Sequence, residues 1–300
     1  MLLPGIPLPP LSPVQPDWLP AGITAHLLRL DSLHAEVSGN KWYKLKYNLS
    51  AALAEGRDTV LTFGGAWSNH LAATAAACRL VGLQSIGVVR GERPPAPGLT
   101  LQKAEAAGMR LEFISREAYR NAARINWDQL FPGAYVIPEG GHNALGARGC
   151  EDILPGAPGH AAYTHIVCAG GTGTTLAGLV NSAGAHQQVI GIPVLKNAGW
   201  MQDAITALLH DRAPLPSWRL FPGFHGGGYA KTSPALFAFL NDFYRQTGIP
   251  LDIIYTGKMM MAFRTLALNG HFPAGSRVLL LHTGGLQGNL SLPPGVLSFH

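Results

Sequence analysis

Three short segments of this 300-residue chain carry residues whose types and spacing could do chemistry. In Ser38-Gly39-Asn40-Lys41-Trp42-Tyr43-Lys44-Leu45, Ser38 or Asn40 can cap a helix that begins here, which places Lys41 in its first turn. A cation is disfavoured at the positive end of a helix dipole. Lys44 lies one turn further along the same face, and its charge opposes a second ammonium nearby. Both effects lower the pKa of Lys41, as required of an amine that must be neutral to attack an aldehyde. For an isolated pair of this spacing, one or both lysines being simply solvated is the favoured reading, and Lys44 could itself bind a substrate carboxylate.

The second segment is Gly170-Gly171-Thr172-Gly173-Thr174-Thr175, which follows an apolar run and opens a helix. Successive backbone N–H groups at the positive end of a helix form a phosphate cradle, and threonine hydroxyls add donors. A dinucleotide fingerprint needs a third glycine at 176, where Leu176 stands, and a P-loop needs a lysine that is missing. A single-phosphate site and a plain tight turn remain. The third segment, Gly64-Gly65-Ala66-Trp67-Ser68-Asn69-His70, offers a hydroxyl and an amide at another strand end. Ser68 or Asn69 serves there as ligand contact or as helix cap, and His70 reads as a helix-face residue rather than a base.

Alternating strands and helices must position these turns. Leu45, Leu49 and Leu53 recur at helical spacing from Asn40, with Gly56 as a stop. DTVLTF (58–63) reads as a strand, SNHLAATAAACRLVG as a helix, LQSIGVV (83–89) and MRLEFI (109–114) as strands with a helix near 99–107 between them. A second series begins after about residue 155: strand THIVCAGG (164–171), helix TLAGLVNSAG, strand QQVIGIPVL (187–195), helices near 200–209, 233–247 and 256–269, and strand SRVLLLHTGG (276–285). This is the signature of βα units, hence α/β with open parallel sheets whose strand ends carry the ligand-binding turns.

Composition narrows the classes. Hydrophobic residues make up 47% of the chain and charged ones 13%, so a sizeable core can form and disorder is excluded. The net charge of +5 is scattered, which suits an anionic cofactor or substrate better than nucleic acid. Cys78, Cys150 and Cys168 are far apart and the histidines lack ligand spacing, so neither a disulfide framework nor a metal site is expected. The proline-rich start reads as an extended arm rather than a signal peptide, and no apolar run is long enough to span a bilayer. A cytoplasmic location is expected.

Seven segments together resemble one family: SGNKWYKLK, GGAWSNH, PEGGHN (138–143), GGTGTTLAG, GGGYAKTS (226–233), LDIIYTGK (251–258) and HTGGLQG (282–288), in matching order and spacing. They are similar to the pyridoxal 5′-phosphate (PLP) enzymes that include 1-aminocyclopropane-1-carboxylate (ACC) deaminase and D-cysteine desulfhydrase, within the tryptophan-synthase-β-like fold. The resemblance runs from about residue 29 to 290. It implies two parallel-sheet domains with the cofactor in the cleft between them: a larger one of residues 1–47 and 156–300, and a smaller, mobile one of residues 48–155. It implies that Lys41 carries the cofactor as an imine, that Asn69 meets the PLP 3′-oxygen, and that the loop of Gly171, Thr172, Gly173, Thr174 and Thr175 holds the phosphate. Thr283 would lie near the pyridine nitrogen, and Tyr229 and Tyr255 would flank the reacting carbons. Ser68 would meet the substrate carboxylate or act in the chemistry, with Lys44, Trp67, Asn69 and His70 completing the substrate pocket.

The family is commonly homodimeric and acts on small amino acids. Thr256 and Thr283 stand where the deaminase branch has an acidic and an apolar residue, and both match the desulfhydrase branch. Trp67 replaces a common glutamine. The implied reaction is β-elimination from D-cysteine to pyruvate, sulfide and ammonia, with ACC ring opening as the alternative. A PLP carrier without turnover is a third reading, against which the intact set of Lys41, Ser68 and both tyrosines argues.

Overall fold

The structure is a computed structural model, which describes residues 7–211 and 214–299. The chain enters through β1 (Leu11–Val14) and β2 (Thr24–Arg29), followed by α1 (Asn40–Ala54), β3 (Thr59–Gly64), α2 (Asn69–Leu80), β4 (Gln84–Arg90), α3 (Leu99–Ala106) and β5 (Met109–Ile114). Short helices α4 (Arg116–Arg120) and α5 (Trp127–Leu130) lead to β6 (Tyr135–Ile137) and α6 (Ala144–Glu151). The second series is β7 (His165–Gly170), α7 (Thr174–Ser182), β8 (Gln188–Pro193), α8 (Trp200–Thr206), β9 (Ser217–Leu220), α9 (Pro234–Thr247), α10 (Thr256–Leu268) and β10 (Arg277–His282).

Two sheets result, one of six strands in the order β1-β2-β10-β7-β8-β9 and one of four in the order β5-β4-β3-β6. Every pairing is parallel except that of β1 with β2. The described part of the proline-rich arm therefore ends as an antiparallel edge strand, where Pro13 costs no interior ladder bond. The first six residues of that arm lie outside the described residues.

Each sheet reverses its winding once. In the small sheet the chain goes from β3 outward to β4 and β5, then returns to β6 on the other side of β3. In the large sheet it goes from β7 to β8 and β9, then returns to β10 on the other side of β7. A crevice opens outside the carboxyl ends of the strands at such a switch point. The strands at these two points end in Gly64, Ile137, Gly170 and His282. They run directly into GGAWSNH, PEGGHN, GGTGTT and HTGG, so four of the seven segments come from two switch points.

One apolar core ties the sheets together. Leu45 and Leu49 of α1, Ala147 and Cys150 of α6, and Leu176 and Ala177 of α7 pack in a single buried cluster with Val60 and Ile137 of the small sheet and Leu279 and Leu281 of the large one. Behind the large sheet, Phe239, Phe243 and Phe263 of α9 and α10 cover Val167 and Val278. The small sheet is closed by Leu71 and Leu101 on one face and by Phe63, Val88 and Trp127 on the other.

The periodicity reading recovers the long elements within one to three residues and misses β1, β2, β6, β9, α6 and the short helices α4 and α5. Strands β6 and β9 have three and four residues, too few for a period to show. Helix α6 contains Gly146 and Gly149, poor helix formers. A Cβ on Gly149 would stand 1.8 Å from the Tyr43 carbonyl, so close packing of α6 on α1 requires glycine there.

A second close approach fixes the start of α1. Gly39 has φ +68°, and a Cβ there would lie 2.0 Å from the Thr283 carbonyl oxygen, which also accepts from Asn40 N at 3.3 Å. The helix start and the end of β10 are thereby pressed together. Gly39→Ala combines a left-handed backbone with a backbone clash and should cost about 1–3 kcal/mol. Thermal unfolding should show the loss, and cofactor retention should fall with it.

Candidate active site

The turns from the two switch points surround a cleft of about 340 Å³. All of the sequence-nominated residues line it except Thr174. Helix α1 delivers Lys41 from its first turn, where Gly39 is the residue before the helix and no side chain caps the end. Neither Ser38 nor Asn40 serves as the cap. Instead Asn40 bridges: its Oδ1 accepts from Lys41 Nζ at 2.8 Å, and its Nδ2 donates to Thr175 Oγ1 at 2.8 Å. One side chain thus links the amine to the threonine-rich loop.

The pKa of Lys41 falls from 10.5 to about 7. Burial is the larger cause and the Lys44 ammonium the second. The order differs from the sequence argument, which rested on the helix terminus and Lys44. Burial is a property of the closed cleft and has no signature in the residues around position 41. Lys44 is itself buried and its pKa is lowered by burial, while its Nζ donates to the Gly140 carbonyl at 3.0 Å. That bond ties α1 to the PEGG turn.

The threonine loop separates into two groups. Thr172, Gly173 and Thr175 face the cleft. Thr174 is fully buried, and its hydroxyl is held by Thr172 Oγ1 at 3.0 Å and His142 Nδ1 at 3.1 Å, so it braces the loop from behind. Gly173 stands before α7 with φ +83°, the left-handed geometry that turns the preceding peptides toward the helix axis. Gly171 lies against Tyr255, whose Cε1 is 3.2 Å from the position of a Cβ.

Ser68 caps α2 by accepting from Leu71 N at 3.3 Å, and its side chain also borders the cleft. The Asn69 amide oxygen is buried with no partner among the described residues. His70 has an assignable tautomer. Thr62 donates its hydroxyl proton to the Ile137 carbonyl at 2.8 Å, so at 3.0 Å from His70 it accepts from Nε2–H. Nδ1 is then a bare acceptor, buried and without a partner among the described residues. Burial, followed by Lys41 and Lys44, holds this imidazole well below its usual pKa and therefore neutral. Buried polar atoms are nearly always satisfied, so these two acceptors fit a site completed by a ligand.

On the opposite wall, Tyr229 and Tyr255 stack edge to face with centroids 6.1 Å apart. Burial, with Tyr229 beside it, pushes the Tyr255 phenol well above its usual range. The loop before Tyr229 has positive φ at Gly226, Gly227 and Gly228, and Lys258 holds it by donating to the Gly228 carbonyl at 2.6 Å. Lys258 is buried, with its pKa lowered by that burial. Thr283 follows β10 and is nearly buried. Thr256 lies away from the cleft: it is fully buried and its hydroxyl bonds to Asp252, as do the backbone N–H groups of Tyr255 and Thr256. Sequence reasoning missed Asn40, Asp252 and Lys258 as functional supports. All three lie inside quoted motifs, which was the available signal.

A cleft at paired switch points, with a lysine of lowered pKa on one side and a glycine- and threonine-rich strand-to-helix turn on the other, fits a PLP enzyme of the tryptophan-synthase-β-like class. The sequence profile described as "Pyridoxal-phosphate dependent enzyme" matches residues 16–284, and the chain belongs to that family. It is 31% identical over 297 residues to the mitochondrial bifunctional D-cysteine desulfhydrase/1-aminocyclopropane-1-carboxylate deaminase of Arabidopsis thaliana, covering 90% of this chain and 74% of that one. It is 29% identical to the D-cysteine desulfhydrase of Yersinia pestis, covering 93% and 91%. The solved structure of an ACC deaminase homologue superposes with a TM-score of 0.80 at 27% identity, covering 96% and 92%. O-ureido-L-serine synthase, at 15% identity and a TM-score of 0.72, shares the fold. Among the described residues no helix is long and apolar enough to cross a membrane.

The pKa shift of Lys41 has two measurable consequences. The cofactor-free protein should take up PLP faster as pH rises through about 7, because the neutral amine is the reactive form. Between about 7 and 10.5 the unfolded chain holds a proton that the folded lysine has released, so stability should increase with pH across that window. Lys41→Met should abolish covalent uptake and flatten the stability slope, as read by absorbance and by denaturant titration. Separately, Lys258→Met should free the Gly226–Gly228 loop and lower kcat while Lys258→Arg restores part of it. Limited proteolysis at that loop checks the cause.

Proposed function

We propose that the chain is a lyase that eliminates the β-substituent of a small amino acid, with D-cysteine as the leading substrate and pyruvate, sulfide and ammonia as products. The observation that carries this reading is the polar end of the cleft. There Thr283 presents a hydroxyl, and the nearby Asp252 carboxylate is occupied by Tyr255 and Thr256. When bound, PLP supplies the electron sink for loss of the α-proton. Lys41 would hold the cofactor and, once displaced, move the α-proton from its Nζ position. Thr172, Gly173 and Thr175 would hold the phosphate, and Asn69 the ring hydroxyl.

Ser68 would anchor the substrate carboxylate, with His70 accepting from the substrate's polar hydrogens through Nδ1. Trp67 would bound the side-chain pocket. Lys44 would act by fixing the PEGG turn and depressing the Lys41 pKa rather than by binding carboxylate directly. Tyr255 stays protonated across the working pH range, so it can donate a hydrogen bond to the departing sulfur, with Tyr229 beside it. Residues 48–155 would form a smaller mobile domain against 1–47 and 156–300. The working form would be a cytoplasmic homodimer.

ACC ring opening is the second reading, since the relatives bear both activities in their names. Carbon–carbon cleavage demands a stronger sink, favoured by a carboxylate that keeps the pyridine nitrogen protonated. A hydroxyl at Thr283 suffices where sulfide leaves. D-cysteine should therefore give a higher kcat/KM than ACC in parallel assays of ammonia release, and faster release from ACC would reverse the order. A panel of D- and L-amino acids read by keto-acid formation tests turnover itself. No product from any of them would leave the non-catalytic carrier as the better account.

A further inference from the structure

Arg90 and Glu139 enter the cleft from the two strands that flank β3. Arg90 is the last residue of β4, and Glu139 follows β6 by two positions. Adjacent strands lie about 4.8 Å apart, so the two backbones stand roughly 10 Å from each other across the Gly64-Gly65 turn. Both side chains line the cavity, and neither forms an ion pair among the described residues. Both are exposed at the mouth of the cleft, so their charges are open to a ligand entering it. The Arg90 guanidinium sits over the Tyr119 ring, 5.8 Å from its centroid, a contact that orients the charge without neutralising it. It lies 3.6 Å from the place of a Cβ on Gly65, above the turn that leads to Ser68 and Asn69. The charges of Glu139 and Arg90 both act on the phenols of Tyr119 and Tyr229.

We propose that Arg90 and Glu139 form a distal subsite, and that the substrate is a cysteine thioether whose sulfur substituent itself ends in an α-amino-carboxylate. The proposal rests on the β-elimination reading and names its substrate class. A zwitterionic end meets both fixed charges favourably, its carboxylate on the fork of Arg90 and its ammonium on Glu139. A tail of single charge meets one attraction and one repulsion, and the bare thiol of cysteine leaves both groups unused. Trp67 from the small sheet and Trp200 from the large one, 39% and 48% exposed, line the same cavity and supply apolar walls for the methylene stem.

The reaction balances without an external oxidant or reductant. The substrate R–S–CH2–CH(NH3+)–CO2− loses its α-proton, and the Cβ–S bond breaks with its electron pair on sulfur, which leaves as R–SH after taking a proton. The three-carbon enamine left behind is protonated at Cβ, and water hydrolyses the resulting imine to pyruvate and ammonium.

The test uses the holoenzyme with S-methyl-, S-carboxymethyl- and S-aminoethyl-D-cysteine and the diastereomers of lanthionine, with pyruvate as readout. At least one lanthionine should exceed the S-methyl compound in kcat/KM by about tenfold or more. Arg90→Gln should raise KM for that lanthionine and for the S-carboxymethyl compound by about ten- to a hundredfold, with the S-methyl compound within about twofold. Glu139→Gln should do the same for lanthionine and the S-aminoethyl compound. Tryptophan fluorescence titrated with α,α′-dimethyl-lanthionine, which has no α-proton to lose at either end, reads binding apart from turnover, and its dissociation constant should rise in both variants. Equal losses across all substrates, or a lanthionine no better than the S-methyl compound, would overturn the subsite. If no thioether and no cysteine yields pyruvate, the elimination reading fails, and the fluorescence titration alone decides the subsite.

Discussion

The burial of the Lys41 amine is the constraint that governs the rest of this site. Removing an ammonium from water is costly, so the lysine releases its proton near pH 7 instead of near 10.5. The burial depends on the contact of Gly39 with Thr283, which presses α1 against the end of β10. It depends equally on Lys44, which reaches across to Gly140 and draws the small sheet's PEGG turn over the same space. The two lysines three residues apart thus have different tasks. The Lys41 pKa is lowered chiefly by burial and secondly by Lys44, whose own amine is turned to the Gly140 carbonyl.

This arrangement needs two sheets whose winding reverses at facing points. A single βα turn offers a few backbone donors and one or two side chains, enough for an anion. Two switch points facing each other supply four turns, and they divide the work: the Gly171–Thr175 loop gathers donors, while the GGAWSNH turn leaves unpaired acceptors at Asn69 and His70. The core cluster shared by α1, α6 and α7 holds the two sheets in this relation.

Much of this was legible in the sequence. Element order and type followed from apolar periodicity, and Lys41, the threonine loop and the SNH turn were visible as residues of the right chemistry at strand ends. What sequence could not show was orientation. Thr174 and Thr175 are neighbours of the same type, yet one hydroxyl braces His142 and the other accepts from Asn40 at the cleft. Ser68 and Asn69 were interchangeable as caps, and the structure makes Ser68 the cap. Asn40, read as a cap, is instead the bridge from amine to loop. The dominance of burial over charge in the Lys41 shift is also non-local, since the covering residues come from positions up to 240 or so further along the chain, Thr283 among them.

Asp252 shows why the identity of a residue near a site does not settle its role. It is a carboxylate with no exposed surface, close enough to the HTGG turn that its Oδ2 lies 3.0 Å from the place of a Cβ on Gly285. Burial raises its pKa, and the backbone and hydroxyl donors of Thr256, with the N–H of Tyr255, pull it back down. Those donors are what the carboxylate serves: it orders the turn that begins α10 and so fixes the Tyr255 ring against Gly171. An acidic residue at position 256 would place a second carboxylate beside this one, with one fewer donor to share. Thr256 and the capping role of Asp252 are therefore one feature. The same threonine supplies the bond that keeps the buried acid engaged with the start of the helix.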